Sequence, residues 1–350
     1  MINHQLICKV LGQLLFLEAV LLMVSLGVSI GYQEDDVFAF LVTIFITIGA
    51  GLALKWRGHN ADNSMSRRDA YLVVSLAWIV FSFFGTFPFL ISGYIHSFTD
   101  AYFETMSGFT TTGATIIDNV EVLPHGLLFW RSLTQWIGGL GIVFFTIALL
   151  PSLVGGQIKV FAAEATGPIK TKLHPRLSTS AKWIWSIYIV LTIACIVSYY
   201  FGGMNVFDSF NYAMTTTATG GFATHNTSTE FFHSPTLEYI CTLFTFLSGI
   251  NFTLLYAAVI KLNIKNLFKN SEFKFYIFLV VVFTAFIMME LMTMRHYDLE
   301  RAFRCGLFQV VSFITTTGLF NDDAATWPHV TWVVLAACMF FGACSGSTSG

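Results

Sequence analysis

Residues 100–115 read DAYFETMSGFTTTGAT, residues 208–224 read DSFNYAMTTTATGGFAT, and residues 301–321 read RAFRCGLFQVVSFITTTGLFN. Each segment is a helix-length stretch that runs into threonines and closes on a glycine: Gly113, Gly220 and Gly318. Ten residues before each glycine stands a phenylalanine (Phe103, Phe210, Phe308), and the next residue is polar each time (Glu104, Asn211, Gln309). A proline (Pro124, Pro235, Pro328) follows before the next apolar run. One TTTG is an ordinary threonine-rich turn; three copies in the same surroundings, at intervals of about 100 residues, are an internal repeat.

The surroundings are apolar. Of 350 residues, 55% are hydrophobic and 11% charged, with a mean hydropathy of +0.69. A water-facing surface needs about 25% charged residues. Several apolar blocks exceed the ~18–20 residues that cross a bilayer as a helix. Helices satisfy their own backbone hydrogen bonds in lipid, and the ~10-residue alternation of a membrane barrel is missing. The pattern predicts spans near Leu6–Ile30, Val37–Leu54, Ala70–Tyr94, Gly126–Leu150, Trp183–Phe201, Thr236–Ile260 and Phe275–Met294, with an eighth beginning near Val330. The first run is longer than a signal-peptide core and has no small-residue cleavage site, so it reads as a span.

Basic residues orient these spans. The loops after the second, fourth and sixth spans, together with Lys9, hold 14 of the 18 Lys and Arg residues, which makes that side cytoplasmic and places the N-terminus there. The opposite loops carry Asp35, Asp36, Asp100, Asp208, Glu230, Asp322 and other acids, a solvated face that also concentrates cations. A net charge of −2 gives no support to a nucleic-acid partner. The cysteines (Cys8, Cys195, Cys241, Cys305, Cys338, Cys344) form no CxxC and read as small buried hydrophobes. No HExxH occurs among the nine histidines.

The repeated segments lie in the outer loops and are too short to span, so they predict re-entrant helices buried in protein or lining a watery cavity. Their chemistry suits a cation that must shed water. Rings of backbone carbonyls replace a hydration shell. Glycine permits the backbone conformations this requires. Threonine hydroxyls add oxygen ligands, and a helix C-terminus directs partial negative charge at the ion. The loops contain no acid, which favours carbonyls over a carboxylate ring.

At these residues the chain resembles the TrkH/KtrB/HKT superfamily of potassium transporters, and within it the TrkH family. WRSLTQWIGGLGI (Trp130–Ile142) and the C-terminal FGACSGSTSG (Phe341–Gly350) carry the resemblance further, so that it runs along essentially the whole chain. It implies an all-α polytopic membrane protein: repeated span–pore helix–filter loop–span units around a pseudo-fourfold pore, truncated here after three units. The implied layout is two accessory helices in 1–66, pore units in 67–160 and 161–270, and a third in 271–350. It implies potassium uptake down the electrochemical gradient, with K+ as the transported ion and no covalent cofactor. The implied filter comprises Thr111, Thr112, Gly113 and Ala114; Ala218, Thr219, Gly220 and Gly221; and Thr316, Thr317, Gly318 and Leu319. Sodium-admitting plant relatives can carry serine for a filter glycine; all three glycines stand here. Gly342, Ala343, Cys344, Ser345, Gly346, Ser347, Thr348, Ser349 and Gly350 resemble the family's intramembrane gate loop, for which a flexible linker or a fourth filter are the alternatives. The resemblance also implies a bacterial inner-membrane location, a homodimer, and a cytosolic nucleotide-binding regulatory subunit of the TrkA type. The family's fourth unit, with its basic residue facing the gate, does not occur before Gly350.

Other candidates have plainer readings. Gly138, Gly139 and Gly141 suit close helix packing. Arg131 snorkels or pairs with a loop acid. Glu18 and Glu290 are intramembrane acids, with Glu18 in the accessory helices. Asn251 is read as an interhelical hydrogen-bonding residue. Two rival functions stay open. One is a polytopic membrane enzyme using residues such as Asp100, Asp208 or His225. The other is a non-conducting fragment or subunit.

Overall fold

The structure, a computed structural model, describes residues 2–62, 65–141, 177–259 and 264–349. Every regular element among them is helical. The described residues fall into two compact bodies. One holds residues up to Thr110, from Ala114 to Gly141, and from 177 to Trp185; the other holds Thr111–Gly113 and the residues from Ser186 onward.

In the first body, α1 (His4–Tyr32) and α2 (Val37–Arg57) form a hairpin that turns at Gln33, in the left-handed region. Small residues let their backbones approach. A methyl group on Gly12 would meet the Gly51 carbonyl oxygen at 2.8 Å, and one on Gly51 would meet the Gly12 carbonyl at 3.2 Å. Ser66 and Asp69 form a capping box at the start of α3 (Arg67–Gly85), and the Asn3 amide donates to Asp69 at 2.9 Å, fastening the start of α1 to it. After Thr86 the chain continues as α4 (Phe87–Ser92). Then come α5 (Phe98–Phe109) and α6 (His125–Gly138). The Trp130 indole donates to the Gly85 carbonyl at 3.0 Å, and a side chain on Gly138 would collide with the Phe109 carbonyl, so Gly138 is a packing glycine.

At the far end of the hairpin, Glu34 accepts from the His125 amide at 2.5 Å and lies 2.7 Å from its Nδ1, while Tyr32 stacks on that ring at 3.9 Å. The Ser29 hydroxyl donates to Asp36 Oδ1; Asp36 Oδ2 is buried against Gly126 with no hydrogen bond among the described residues. Glu18, midway along α1, is also buried.

The second body takes up α7 (Leu177–Gly202) from Ser186 on. It continues with α8 (Val206–Ala218), α9 (Pro235–Ser248), α10 (Phe252–Val259) and α11 (Ile264–Lys269). Last come α12 (Ser271–Met294), α13 (Leu299–Ile314) and α14 (His329–Phe341). Its core gathers Cys195, Tyr199, Tyr212, Cys241, Phe244 and Phe308, so two cysteines do serve as small hydrophobes.

Helices α1, α2, α7 and α12, and the stretch Arg68–Ser92, are long and apolar enough to cross a membrane. Their outward faces keep large apolar side chains such as Phe45 and Trp56, 73% and 84% exposed, which suits lipid contact. The sequence expectation needs correction at the sixth span. Thr236–Ile260 is not one helix: α9 and α10 meet at a 103° bend across Gly249–Asn251. The fourth span also breaks from its expected course, because α6 stops at Gly138 and Gly141 takes a φ of +85°; residues 142–150 lie outside the described residues. After α14 the chain turns at Gly342, φ +67°. The second helices of all three repeats are thus 13 or 14 residues long, start just after a proline or on it, and stop next to a glycine.

Candidate functional site

The three short helices α5, α8 and α13 start alike. Ser97, Asn205 and Asp298 each cap one by accepting from the backbone amide three residues on (Asp100, Asp208, Arg301). Each helix then runs into a loop with the same unusual backbone. Thr111, Thr219 and Thr316 have φ of 52°, 54° and 53°, and two residues later Gly113, Gly221 and Gly318 have φ of 74°, 85° and 83°. A β-branched residue in the left-handed region costs of order 1–3 kcal/mol and persists only where its surroundings enforce it. Threefold recurrence marks this as a built conformation.

That geometry corrects the register. By conformation Gly221, not Gly220, matches Gly113 and Gly318. The physical reason lies in the threonines. Thr110–Thr112 and Thr315–Thr317 follow the ends of α5 and α13, whereas Thr215–Thr217 are the last turn of α8. The Thr217 hydroxyl bonds back to the Ala213 carbonyl at 2.8 Å, and Thr216 pairs with the Tyr199 hydroxyl at 2.8 Å, so neither is part of the loop.

The three loops meet. A side chain on Gly113 would run into the Gly220 carbonyl oxygen, and one on Gly221 would run into the Thr317 carbonyl oxygen. At Gly318 an added side chain would meet nothing within 4 Å among the described residues. Thr111–Gly113, Thr219–Gly221 and Thr316–Thr317 therefore form successive walls. Ala218 ends α8, one residue before its wall. Ala114 and Leu319 take a different part: their carbonyls accept from Ser107 and Ser312 on the preceding helices, both at 2.6 Å, which fastens the exit of each loop to its own helix.

Further pins hold the chain beyond each loop. Glu104 accepts from the Thr115 hydroxyl at 3.0 Å and the Ile116 amide at 3.1 Å. Gln309 donates to the Asp322 carbonyl at 3.3 Å. In the second repeat this role belongs to Asp208, which accepts from Thr224 at 2.6 Å and lies 3.3 Å from His225, and not to Asn211, whose amide is spent on the Phe207 carbonyl. Arg131 is 2% exposed and pairs with Glu104 at 2.8 Å, so it is a buried ion-pair partner and does not snorkel. Sequence reading missed Glu238 in α9. It pairs with Arg304 of α13 at 2.5 Å and accepts from Asn321, tying the second repeat to the third. Its sole signal was an acid in the first turn of an apolar helix.

The C-terminal loop packs into the break between α9 and α10. The Cys344 amide donates to the Gly249 carbonyl (3.0 Å), the Phe252 amide to Gly346 (3.1 Å), and the Thr348 hydroxyl to Ser248 (3.1 Å). Asn251 donates to the Ser345 carbonyl, so it does hydrogen-bond, but to this loop and not between helices as expected. Gly342 to Ser349 are described; Gly350, also expected in this loop, lies outside the described residues.

The family model for TrkH, described as a cation transport protein, matches residues 36–350. The chain is 36% identical over 349 residues to the Trk system potassium uptake protein TrkH of Escherichia coli (strain K12), covering 98% of this chain and 72% of that one. It is 37% identical over 347 residues to the Trk system potassium uptake protein TrkG of the same strain, covering 97% and 70%. Its fold matches the crystal structure of the potassium transporter TrkH from Vibrio parahaemolyticus with a TM-score of 0.84 at 35% identity, over 99% of this chain and 72% of the other.

Proposed function

The chain belongs to the TrkH family of cation transport proteins, and on that footing we propose that it takes up potassium across a bacterial inner membrane. The meeting of Thr111–Gly113, Thr219–Gly221 and Thr316–Gly318 in one set of interlocked walls carries this reading. Carbonyls of these loops, with the hydroxyls of Thr111, Thr112, Thr219, Thr316 and Thr317, replace the water around a K+ ion, and the C-terminal ends of α8 and α13 add their partial negative charge. Ala114, Ala218 and Leu319 shape the loops from behind. The membrane potential draws the ion inward.

In this reading the first 66 residues are accessory, three pore units follow in 67–160, 161–270 and 271–350, and the loop Gly342–Gly350 gates the path beneath the filter. The N-terminus is cytoplasmic. The side of Gly318 that meets nothing within 4 Å among the described residues leaves room for a fourth wall completing the ring. The working form is a homodimer with a cytosolic nucleotide-binding subunit of the TrkA type on its basic face. The relatives are transporters, which gives the enzyme alternative no support.

The test is growth of cells lacking their own potassium uptake. Expression of the protein in its natural length restores growth at low potassium and supports rubidium uptake. Absence of both, with the protein present in the membrane, sinks the reading.

A further inference from the structure

Most bonds on the C-terminal loop come from one place, the break between α9 and α10, with Ser248, Gly249, Asn251 and Phe252 as partners. One does not. Glu272, in the first turn of α12, accepts from the Ser345 amide through Oε1 at 2.6 Å. Ser345 is therefore held at both backbone groups by side chains, its carbonyl by Asn251 and its amide by Glu272. Two glycines with positive φ flank this point, Gly342 at +67° and Gly346 at +74°. Such residues are natural hinges for the segment between them.

We propose that Glu272 is the latch of this loop, a positioning residue for ion passage; the proposal rests on the reading of Gly342–Gly350 as a gate. A carboxylate on a backbone amide makes a charge-assisted bond, roughly twice as strong as a neutral one. The loop's backbone-to-backbone bonds can re-form with any residues in another register. The Glu272 bond is specific to Ser345, next to the second hinge. Holding Ser345 keeps the neighbouring Cys344 buried, and releasing it frees the segment 343–345 to swing.

Cys344 reports on the loop without an introduced label. The protein in its natural length, reconstituted in liposomes, is treated with N-ethylmaleimide while rubidium flux is followed, and Cys344 modification is read by mass spectrometry. Glu272→Ala speeds Cys344 labelling by roughly tenfold, as expected for loss of one charge-assisted bond. Rubidium flux rises with it, and the rubidium-to-sodium preference stays that of the wild type. Glu272→Gln keeps the shape and a neutral acceptor, and falls between the two. Unchanged labelling in folded E272A overturns the latch; should E272A fail to fold, E272Q decides on the same rate. Faster labelling without a rise in flux, in a protein whose wild type conducts, overturns the role in ion passage. A wild type that passes no rubidium sinks the pore reading instead, and the labelling ratio alone then judges whether Glu272 holds the loop.

Discussion

The carbonyl oxygen of Gly220 occupies the space into which a side chain on Gly113 would project, and Thr317 stands in the same relation to Gly221. Steric conflict and a positive φ act together at those two glycines, whereas Gly318 has the φ alone. Gly113→Ala and Gly221→Ala are therefore expected to cut rubidium uptake by about tenfold or more and weaken discrimination against sodium, from a strain of order 1–3 kcal/mol at each loop. Gly318→Ala is milder. Uptake and selectivity measured at equal membrane levels check the order, and a G318A more severe than both others contradicts the interlock.

The pair Glu104–Arg131 is buried on both sides. Removing one partner strands the other, so Glu104→Ala is expected to destabilise by about 3–5 kcal/mol. The double variant E104M/R131M recovers only part of this, because the Ile116 amide still loses its acceptor. Thermal unfolding in detergent gives both values; a loss below about 1 kcal/mol in E104A counts against a pinned loop exit.

Asp36 contributes a pH dependence of its own. Burial raises its carboxyl above the ordinary value, the Ser29 hydroxyl offsets part of that, and the charges of Glu34 and Asp35 add to it. The native state thus holds the proton more tightly than the unfolded chain. Stability from this group is fully present below the ordinary carboxylate pKa of about 4 and is lost as pH rises through the native value. Asp36→Asn removes the titration, so its melting temperature falls less between acid and neutral pH than that of the wild type. Parallel curves for the two proteins refute the assignment.

At the helix break, a methyl group on Gly249 would meet the Tyr276 hydroxyl at 2.6 Å and the Thr315 methyl at 2.9 Å. Gly249→Ala destabilises by about 1–3 kcal/mol, the usual range for overpacking. Tyr276→Phe takes away the nearer contact and restores part of the loss. A double-mutant cycle reads the coupling, and strict additivity means the two residues do not share the space.

The membrane class, the three short helices and the loops after them were legible because apolar length, threonine and glycine are local signals. The register of the second loop was not. TTTATGG and TTTG align by their threonines, yet a helix end is fixed by where hydrogen bonding stops, and Thr215–Thr217 still serve α8. The bend between α9 and α10 was hidden for a related reason. SGIN (Ser248–Asn251) sits inside a continuous apolar run, and its break is stabilised by a loop almost 100 residues further on. Arg131 and Glu104 could each be singled out as unusual, but 27 residues separate them and their pairing belongs to the tertiary structure.

Three pins of unlike chemistry, a carboxylate at Glu104, a carboxylate beside an imidazole at Asp208 and a carboxamide at Gln309, hold equivalent stretches of one polypeptide. In a ring assembled from identical chains, a single codon change would appear in every wall at once. Here it appears in one, and its neighbours keep the older arrangement. Such inheritance lets each copy drift toward its own solution after duplication, and it leaves the three loops as separately adjustable parts of one gene product.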